Sequence, residues 1–400
     1  MQTICAKGKH KAGEKEATRS FFPLYKQKAN LCLPLHRRFR QQQEKATHLT
    51  LHLFNPSHEE ALAADYPYYY PTIAARKMAA EWGTLPALWA GRGQAVWLPE
   101  GAEKPQEARW CEGVRFVTTR ELTPAFWKEV EHIQPWGWDL LVRHRLRRAG
   151  APEHLLPTDA EIASIRHLSS RATTSRLLAR LRAALPETVG ESIVCRSRAE
   201  LAEAIARWRG AVVKSLWSCS GRGIFRMTEQ PTDNDLNRAE RLTAKHGGVE
   251  AEPWYDCAAD FALEFSALPG GEVRYEGLSL FAANPGGDYR GNAIGSQEKL
   301  EEALFGTFDF SRHAWQEHTE TCRREAEQLL GGAYAGPFGI DMMIVRTPPH
   351  GGSAPALRCH PCVEINLRRT MGHAALCAAQ RKLKIEDLPN FLQKTWYICQ

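Results

Sequence analysis

The sequence has no long hydrophobic run: none of its stretches approaches the ~18 consecutive apolar residues that mark a transmembrane helix. A membrane span and a membrane partner are therefore not predicted. A disulfide framework is missing too, because the eleven cysteines are odd in number and scattered along the chain. Several, such as Cys195, Cys257 and Cys377, stand in apolar segments typical of free thiols. This usage indicates a reducing compartment, and we expect a cytoplasmic protein.

Positive charge is scarce outside the N-terminus. The formal net charge is +6, but residues 1–47 hold 11 Lys and Arg against 3 Glu, a net of +8, which leaves about −2 for the rest. A body without basic excess does not favour nucleic-acid binding. Residues 1–47 show no period and lack the apolar core of a secretory signal. A disordered tail, a basic arm that attracts nucleic acid and a wrongly assigned start all fit, and we favour a disordered or non-native tail.

Two apolar runs on either side of a tip rich in Pro and Gly, residues 347–356, predict a β-hairpin. The first run carries Asp341, and the second carries Glu364 and Asn366. Pairing about this tip places Asp341 within a residue or two of Glu364, and alternation puts Glu364, Asn366 and Arg368 on one face. Oxygen-bearing side chains on one wet face suit Mg²⁺ or Mn²⁺ carrying nucleotide phosphates. The polar outer face of an ordinary sheet is the alternative.

A second candidate element begins with a short apolar strand that ends at Lys214. Small residues in the following loop, Ser220, Gly221 and Gly223, would let the backbone approach a polyphosphate closely and bind it through amides. Lys214 would add a point charge to the phosphates. The loop is not a Walker A element, because it lacks the Gly-Lys-Ser/Thr ending and connects strand to strand. By itself, this hairpin also fits an ordinary turn.

Taken together and in this order, these segments resemble the ATP-grasp superfamily over about residues 160–400. The resemblance implies an α+β fold in which two lobes hold Mg-ATP between them, preceded by a small Rossmann-like α/β pre-grasp domain. The implied divisions are a pre-grasp domain at 48–150 and a grasp domain at 151–400, with a small lobe over about 186–250 and a large lobe over about 251–400. The resemblance is carried by Val213-Lys214, Ser220-Gly221-Arg222-Gly223, Glu252-Pro253-Trp254, Gly339-Ile340-Asp341 and Glu364-Ile365-Asn366.

The resemblance assigns nucleotide contacts at the hinge between the lobes. Glu252 matches the acid before the hinge, and Trp254 would supply a backbone contact. Asp256 or Asp260 would reach the ribose, although a loop ending in a solvated acid explains either residue equally well.

Many family members carry a second ATP-binding lysine ahead of the small lobe. This chain has no lysine between residues 129 and 213. Arg171 or Arg176 is the expected substitute, because a guanidinium binds phosphate bidentately. Otherwise, the contact is absent.

Strands and helices alternate over residues 48–150, which predicts a small α/β unit with parallel pairing. Its start, Asn55-Pro56-Ser57-His58, is similar to a group of uncharacterised bacterial ATP-grasp proteins, which makes His58 and Glu59 candidate substrate contacts. The alternative is that these two side chains only cap the turn. Residues 119–185 are expected to be mostly helical. The predicted elements of the unit are strands at 50–54, 95–98 and 114–118 and a helix at 73–82.

The resemblance implies that ATP phosphorylates a carboxylate and that an amine or thiol then attacks the acyl phosphate. Arg368 or Arg369 would orient the acyl phosphate or the substrate carboxylate. Arg290 would contact substrate from the loop after a second predicted hairpin, unless it is an incidental arginine on a glycine-rich turn. The acidic hairpin would hold one or two Mg²⁺. A lone Cys-x-x-Cys at residues 359–362 does not by itself predict zinc.

Three classes of function remain open from the sequence. They are an ATP-dependent carboxylate–amine or carboxylate–thiol ligase, a grasp-fold phosphotransferase acting on a hydroxyl, and a non-catalytic nucleotide-binding protein. The metal-binding set disfavours the third. Dimers are common in the family, so the resemblance is compatible with a homodimer that acts on small molecules.

Overall fold

The computed structural model describes residues 49–218, 223–284, 289–308, 310–347 and 356–399. The basic tail predicted at 1–47 lies outside the described residues, as do Ser220, Gly221 and most of the predicted hairpin tip. Strands within the described ranges form three sheets. No helix in those ranges is both long and apolar enough to cross a membrane.

The N-terminal unit contains strands β1 Leu49–Leu53, β2 Ala95–Trp97, β3 Arg115–Val117 and β4 Val130–Pro135, and helices α1 His58–Ala64, α2 Ile73–Trp82, α3 Pro124–Trp127 and α4 Leu140–Arg148. The strands pair in parallel in the order β3-β2-β1-β4. Leu51 on the central strand lies opposite Ala95 on one side and Ile133 on the other. The predicted α/β unit with parallel pairing is therefore confirmed. In the described part of the chain, short 3₁₀ turns lie at Leu85–Leu88, Arg109–Cys111, Thr119–Glu121, Glu153–Leu155 and, near the C-terminus, Ile385–Asp387.

Residues 119–185 are mostly helical, as predicted, with strand β4 as an exception that the sequence did not indicate. Its sequence, Val-Glu-His-Ile-Gln-Pro, places two exposed polar residues in a row and ends in proline, so it lacks the period of a half-buried strand. Pairing with β1 creates the strand through tertiary contact. Directly after it, Trp136 packs edge-on against Phe54 with ring centroids 5.1 Å apart, so this aromatic turn belongs to the core. Two helices follow, α5 Asp159–Leu168 and α6 Arg171–Ala184.

The small lobe is an antiparallel sheet of order β5-β8-β6-β7, with two helices on it. Lys214, at the end of β6, pairs with Ile224 on one side and Glu250 on the other, so the predicted hairpin is present. Its elements are β5 Ile193–Cys195, α7 Arg198–Trp208, β6 Gly210–Ser215, β7 Ile224–Thr228, α8 Asp233–His246 and β8 Val249–Glu252.

The large lobe is a mainly antiparallel sheet of order β13-β12-β9-β10-β11-β14. Its long strands are buried against helices, and Phe261, Phe265 and Phe338 are among the most completely buried side chains. Its elements are β9 Asp256–Ala267, β10 Val273–Ala283, β11 Tyr289–Ile294, α9 Gln297–Thr307, α10 Arg312–Leu330, β12 Gly336–Thr347, β13 Ala356–Asn366, α11 Met371–Gln380, α12 Asn390–Gln393 and β14 Tyr397–Ile398.

The N-terminal unit shares a hydrophobic core with the C-terminal segment. Leu85 and Leu98 belong to one buried cluster with Ala374 and Leu392. The end of the chain therefore fixes the N-terminal unit against the large lobe. The precise division of the chain at 150 and 151, and of the lobes at 250 and 251, stays a prediction.

Candidate nucleotide and metal site

The hairpin of β12 and β13 brings the predicted acids face to face. Asp341 is the direct cross-strand partner of Glu364, and Gly339 is the partner of Asn366. The Asn366 side chain donates a hydrogen bond from Nδ2 to Asp341 Oδ2 at 3.0 Å. Asp341, Glu364 and Asn366 therefore form one cluster, as their placement on the two runs predicted.

Strict alternation along β13 holds only near its end. Alternation predicts Val363, Ile365 and Leu367 on the opposite face from Glu364; Ile365 and Leu367 are buried in the large-lobe core, but Val363 is only half-buried and Cys362 is buried there instead. The register shifts between Asp341 and Met343, where β13 has more residues than β12. A bulge of this kind changes which face later residues occupy, and a single sequence gives no direct signal for it.

A third carboxylate, which the sequence did not single out, lies beside this cluster. Glu264 on β9 is buried and pairs across the sheet with Gly339. A Cβ at residue 339 would come within 2.7 Å of Glu264 Oε2, so only glycine leaves room for that carboxylate. Glu264 Oε2 lies 2.9 Å from His373 Nδ1 at the start of α11. The available signal was a charged residue inside the otherwise apolar run Phe-Ala-Leu-Glu-Phe.

Negative charge is in excess around Asp341. Burial first, and then the neighbouring carboxylates of Glu364 and Glu264, raise the pKa of Asp341 to about 8, against an opposing effect of Arg368. Without a further cation, this carboxyl group holds a proton near neutral pH. No group of three His, Cys, Asp or Glu in the described ranges is placed to hold a metal by itself. The predicted set is instead two carboxylates and an amide, which suits an Mg²⁺ ion that also takes phosphate oxygens.

Lys214 lies buried on the opposite lobe and is ion-paired. Its Nζ is 2.7 Å from Glu252 Oε1 and 3.9 Å from Glu250 Oε2. Although burial opposes it, the charge of these two carboxylates raises the pKa of Lys214. Glu252, predicted as the acid before the hinge, is thus the partner of the predicted phosphate-binding lysine. Glu250 is a further site residue that the sequence did not indicate.

Arg171, the first residue of α6, connects the two lobes. Its Nη1 donates to Ser215 O and to Ser218 Oγ, each at 2.7 Å, and its Nη2 donates to Glu364 Oε1 at 2.7 Å. Of the two predicted substitutes, Arg171 is therefore the one that contacts both the loop after Lys214 and the acidic hairpin. Arg176 is exposed, and among the described residues its guanidinium bonds to Thr173 on its own helix.

Arg368 and Arg369 point in different directions. Arg368 forms an ion pair with Glu59 of the N-terminal unit, and its Nη2 donates to Asn366 Oδ1 at 3.0 Å. The Arg369 guanidinium instead lies 4.8 Å above the ring of Trp89, where burial lowers its pKa. Successive residues of an extended segment face opposite sides. Of the two predicted arginines, the structure brings only Arg368 to the acidic cluster.

Other predicted contacts lie outside this cluster. Arg290 is exposed on β11. Trp254 stands in the connection between the lobes, 51% exposed, with the Arg226 guanidinium over its ring. Asp256 is exposed and forms a 3.1 Å ion pair with Arg346. Gly223, the described member of the predicted phosphate loop, has a positive φ of 76°, a conformation that glycine adopts without strain.

A cleft opens between these elements. It is lined by His58 and Glu59 from α1, by Trp217 and Ser218 after β6, and by Glu364, Asn366 and Arg368 from the end of β13 and the residues after it. The N-terminal unit, the loop after Lys214 and the acidic hairpin therefore enclose one space. His58 and Glu59, predicted from the start of the chain, both face it.

No protein-family model matches the chain, and no curated protein matches its sequence. Solved structures do match. N5-carboxyaminoimidazole synthetase from Staphylococcus aureus, complexed with ADP, is 13% identical at a TM-score of 0.40, over 85% of this chain and 78% of that one. The biotin carboxylase domain of 2-oxoglutarate carboxylase from Hydrogenobacter thermophilus is 11% identical at 0.46, over 85% and 72%. D-cycloserine synthetase is 16% identical at 0.41, over 84% and 98%.

The predicted architecture, two α+β lobes preceded by a small parallel α/β unit, is confirmed. Two α+β lobes meet at a cleft, with Lys214 on one lobe and the acidic hairpin on the other.

Proposed function

We propose that this chain is a Mg-ATP-dependent ligase that joins a carboxylate to an amine or thiol through an acyl phosphate. The observation that carries the proposal is the acidic hairpin with a guanidinium on either side. Arg171 reaches Glu364 from the small-lobe side, and Arg368 reaches Asn366 from the side of the N-terminal unit. One arginine is thus available for phosphate and the other for a carboxylate.

Arg171 and Lys214 are the proposed phosphate contacts. Arg171 already bonds to Ser215 and Ser218, at the edge of the predicted phosphate loop. Its buried Nε makes no hydrogen bond within the described residues and lies 3.6 Å from Glu250 Oε2. Lys214 would exchange Glu252 for phosphate oxygens when nucleotide enters. The predicted loop amides of Ser220, Gly221 and Gly223 would complete the contact.

Asp341, Glu364 and Asn366 are the proposed metal ligands. Burial first, and then the carboxylates of Glu364 and Glu264, raise the pKa of Asp341, so a bound cation would favour its ionised form. Bound Mg²⁺ would supply charge that offsets the β- and γ-phosphates during transfer. Mn²⁺ prefers the same oxygen donors.

Arg368 is the proposed orienting group for the substrate carboxylate or acyl phosphate. Its side chain bonds to Glu59 and Asn366, which fixes the orientation of the guanidinium group before substrate binds. Neither Arg369 nor Arg290 is retained in this role, because one packs on Trp89 and the other is exposed. Trp254 and Asp256 remain proposed hinge contacts to the adenine and ribose.

The test is a screen for nucleotide turnover with pairs of carboxylates and amines or thiols. A ligase releases ADP and inorganic phosphate together, in equal amounts, only when both substrates are present. A phosphotransferase releases ADP and transfers the phosphate to a hydroxyl compound, so free phosphate does not rise. Release of neither product from a folded protein, over a panel of amino acids, polycarboxylates, polyamines and thiols, would contradict both activities.

A further inference from the structure

The first turn of the N-terminal unit contains a fixed histidine. His58 is 1% exposed, and its Nδ1 lies 3.1 Å from Asp139 Oδ2. Asp139 also accepts hydrogen bonds from Asn55 Nδ2 at 3.0 Å and from the backbone N–H of Val142 at 2.7 Å. An ionised carboxylate only accepts, so His58 Nδ1 carries the proton in this contact. The Nε2 atom is then left with a lone pair.

The backbone around His58 holds the ring in place. Asn55 exchanges two hydrogen bonds with Gly137, at 2.8 and 3.3 Å, which ties the turn after β1 to the turn after β4. A Cβ at residue 137 would come within 2.6 Å of His58 Nε2, so glycine lets this backbone lie against the ring. Nε2 has no hydrogen-bond partner among the described residues. An oriented imidazole with an unpaired Nε2 is the arrangement of a general base.

His58 borders the same cleft as the acidic hairpin. The other titratable side chains that line the described part of this cleft are Glu59, Glu364 and Arg368. Glu59 pairs with Arg368, and Glu364 pairs with Arg171 at 2.7 Å. An arginine stays protonated at all ordinary pH values. His58 is therefore the side chain lining the cleft that can accept a proton without giving up an ion pair.

We propose that His58 is the catalytic base that accepts the proton of the attacking amine, and that Asp139 positions it. This inference rests on the proposed ligase function and selects the amine as nucleophile. The amine lone pair forms a C–N bond to the carbonyl carbon of the acyl phosphate. The C–O bond to phosphate breaks, and inorganic phosphate leaves with that electron pair. The nitrogen becomes acidic as the C–N bond forms, and its proton passes to Nε2 of His58.

A purely structural role is the competing explanation, because the same contacts tie the start of α1 to the start of α4. His58→Asn separates the two. The Asn Nδ2 stands where Nδ1 of histidine stood and can still donate to Asp139, but no base remains at the position of Nε2. His154→Asn, on an exposed 3₁₀ turn outside the cleft, is the matched control.

The experiment compares two nucleophiles with the carboxylate that gives ADP release in the screen. One is the amine found in that screen, and the other is hydroxylamine, which is neutral at pH 7.5 and traps acyl phosphates without a base. We expect His58→Asn to lower amide formation by about 100-fold, a usual contribution of a general base, and hydroxamate formation by less than about tenfold. His154→Asn should behave as the parent protein. Equal losses with both nucleophiles, or no loss, would overturn the base role while leaving the ligase function standing.

A second measurement needs no substrate and is made on the unsubstituted protein, with His58→Asn used only to assign the signal. Long-range ¹⁵N–¹H spectra of histidine-labelled protein report which ring nitrogen carries the proton. We expect Nδ1–H with a bare Nε2 for His58, assigned by its loss in His58→Asn. An Nε2–H tautomer would overturn the proposal. If no nucleotide and no substrate pair produces ADP, the ligase proposal fails and the base role fails with it, whatever the tautomer.

Discussion

The two lobes present different charge balances to the cleft between them. On the small lobe, Lys214 lies 2.7 Å from Glu252 and 3.9 Å from Glu250, so opposite charges are paired. On the large lobe, Asp341 faces Glu364, and its pKa rises to about 8. The acids of the small lobe are thus paired with a lysine, whereas Asp341 on the large lobe has no ion-pair partner among the described residues. On nucleotide binding, Lys214 would exchange Glu252 for phosphate oxygens, and the acidic cluster of the large lobe would gain Mg²⁺.

The largest expected effect on ATP turnover comes from substitutions in the large lobe. Replacing Asp341→Asn together with Glu364→Gln removes both metal-binding carboxylates while keeping their shapes. Because electrostatic stabilisation of phosphoryl transfer depends on the metal, we expect Mg²⁺-dependent ATP turnover to fall by about 10³-fold or more. The assay is ADP release, with circular dichroism to verify the fold. Unchanged turnover in a folded double variant would contradict the assignment of these ligands.

Removing the charge of Lys214 on the small lobe should lower both the free energy of unfolding and the affinity for nucleotide. Lys214→Met leaves Glu252 buried without its cation, while Glu250 keeps Arg171, and removing one partner of a buried pair costs about 3–5 kcal/mol. Urea unfolding measures the loss, and the double variant Lys214→Met with Glu252→Gln is the matched control. The control should recover part of the stability but not the nucleotide affinity. A stability loss below about 1 kcal/mol in Lys214→Met would show that this pair is not buried as described.

The large lobe should respond to pH near 8 through Asp341. Folding raises the pKa of Asp341 from 3.8 to about 8, so the protonated form stabilises the metal-free protein at low pH and this contribution is lost as pH rises through about 8. Mg²⁺ must displace that proton. We therefore expect Mg²⁺ affinity in the presence of ATP to fall by about tenfold per pH unit below 8.

Calorimetric titration of Mg²⁺ into protein with ATP, between pH 6.5 and 8.5, measures this dependence. Metal-free Asp341→Asn should also melt at a higher temperature than the parent protein at pH 8.5, because it lacks the repelled charge. A flat affinity profile together with an unchanged melting temperature would mean that Asp341 is already ionised.

The smallest effect is expected outside the cleft. Arg290→Ala removes an exposed side chain on β11, and such changes usually alter stability by less than about 0.5 kcal/mol. We expect turnover and nucleotide affinity to stay within about twofold of the parent protein. A loss of turnover as large as that caused by Arg368→Ala would support the predicted role of Arg290 in substrate binding.

The sequence predicted what depends on local pattern. The β12–β13 hairpin followed from apolar runs about a Pro and Gly tip, and cross-strand pairing then placed Asp341 against Glu364. Likewise, the missing lysine pointed to an arginine ahead of the small lobe, and Arg171 lies there.

Features created by tertiary contact could not be predicted. Strand β4 exists because it pairs with β1, although its own pattern is not that of a strand. Glu264 reaches the acidic cluster only because β9 lies next to β12 and residue 339 is glycine. Asp139 supports His58 from 81 residues away in the chain. Arg368 and Arg369 are neighbours in sequence, and only the fold decides which one faces the cleft.

The central claim is that the acidic cluster of the large lobe (Asp341, Glu364 and Asn366) and Lys214 together bind Mg-ATP. Its most direct test is a thermal-shift titration of the protein with ATP, ADP and GTP, each with and without Mg²⁺, beside the Asp341→Asn, Glu364→Gln double variant. A ligand that binds only the folded state stabilises it by about 2.7 kcal/mol at a hundredfold excess over Kd. The account predicts a shift that prefers ATP, requires Mg²⁺ and disappears in the double variant. Cooperative unfolding with no shift for any nucleotide would contradict it.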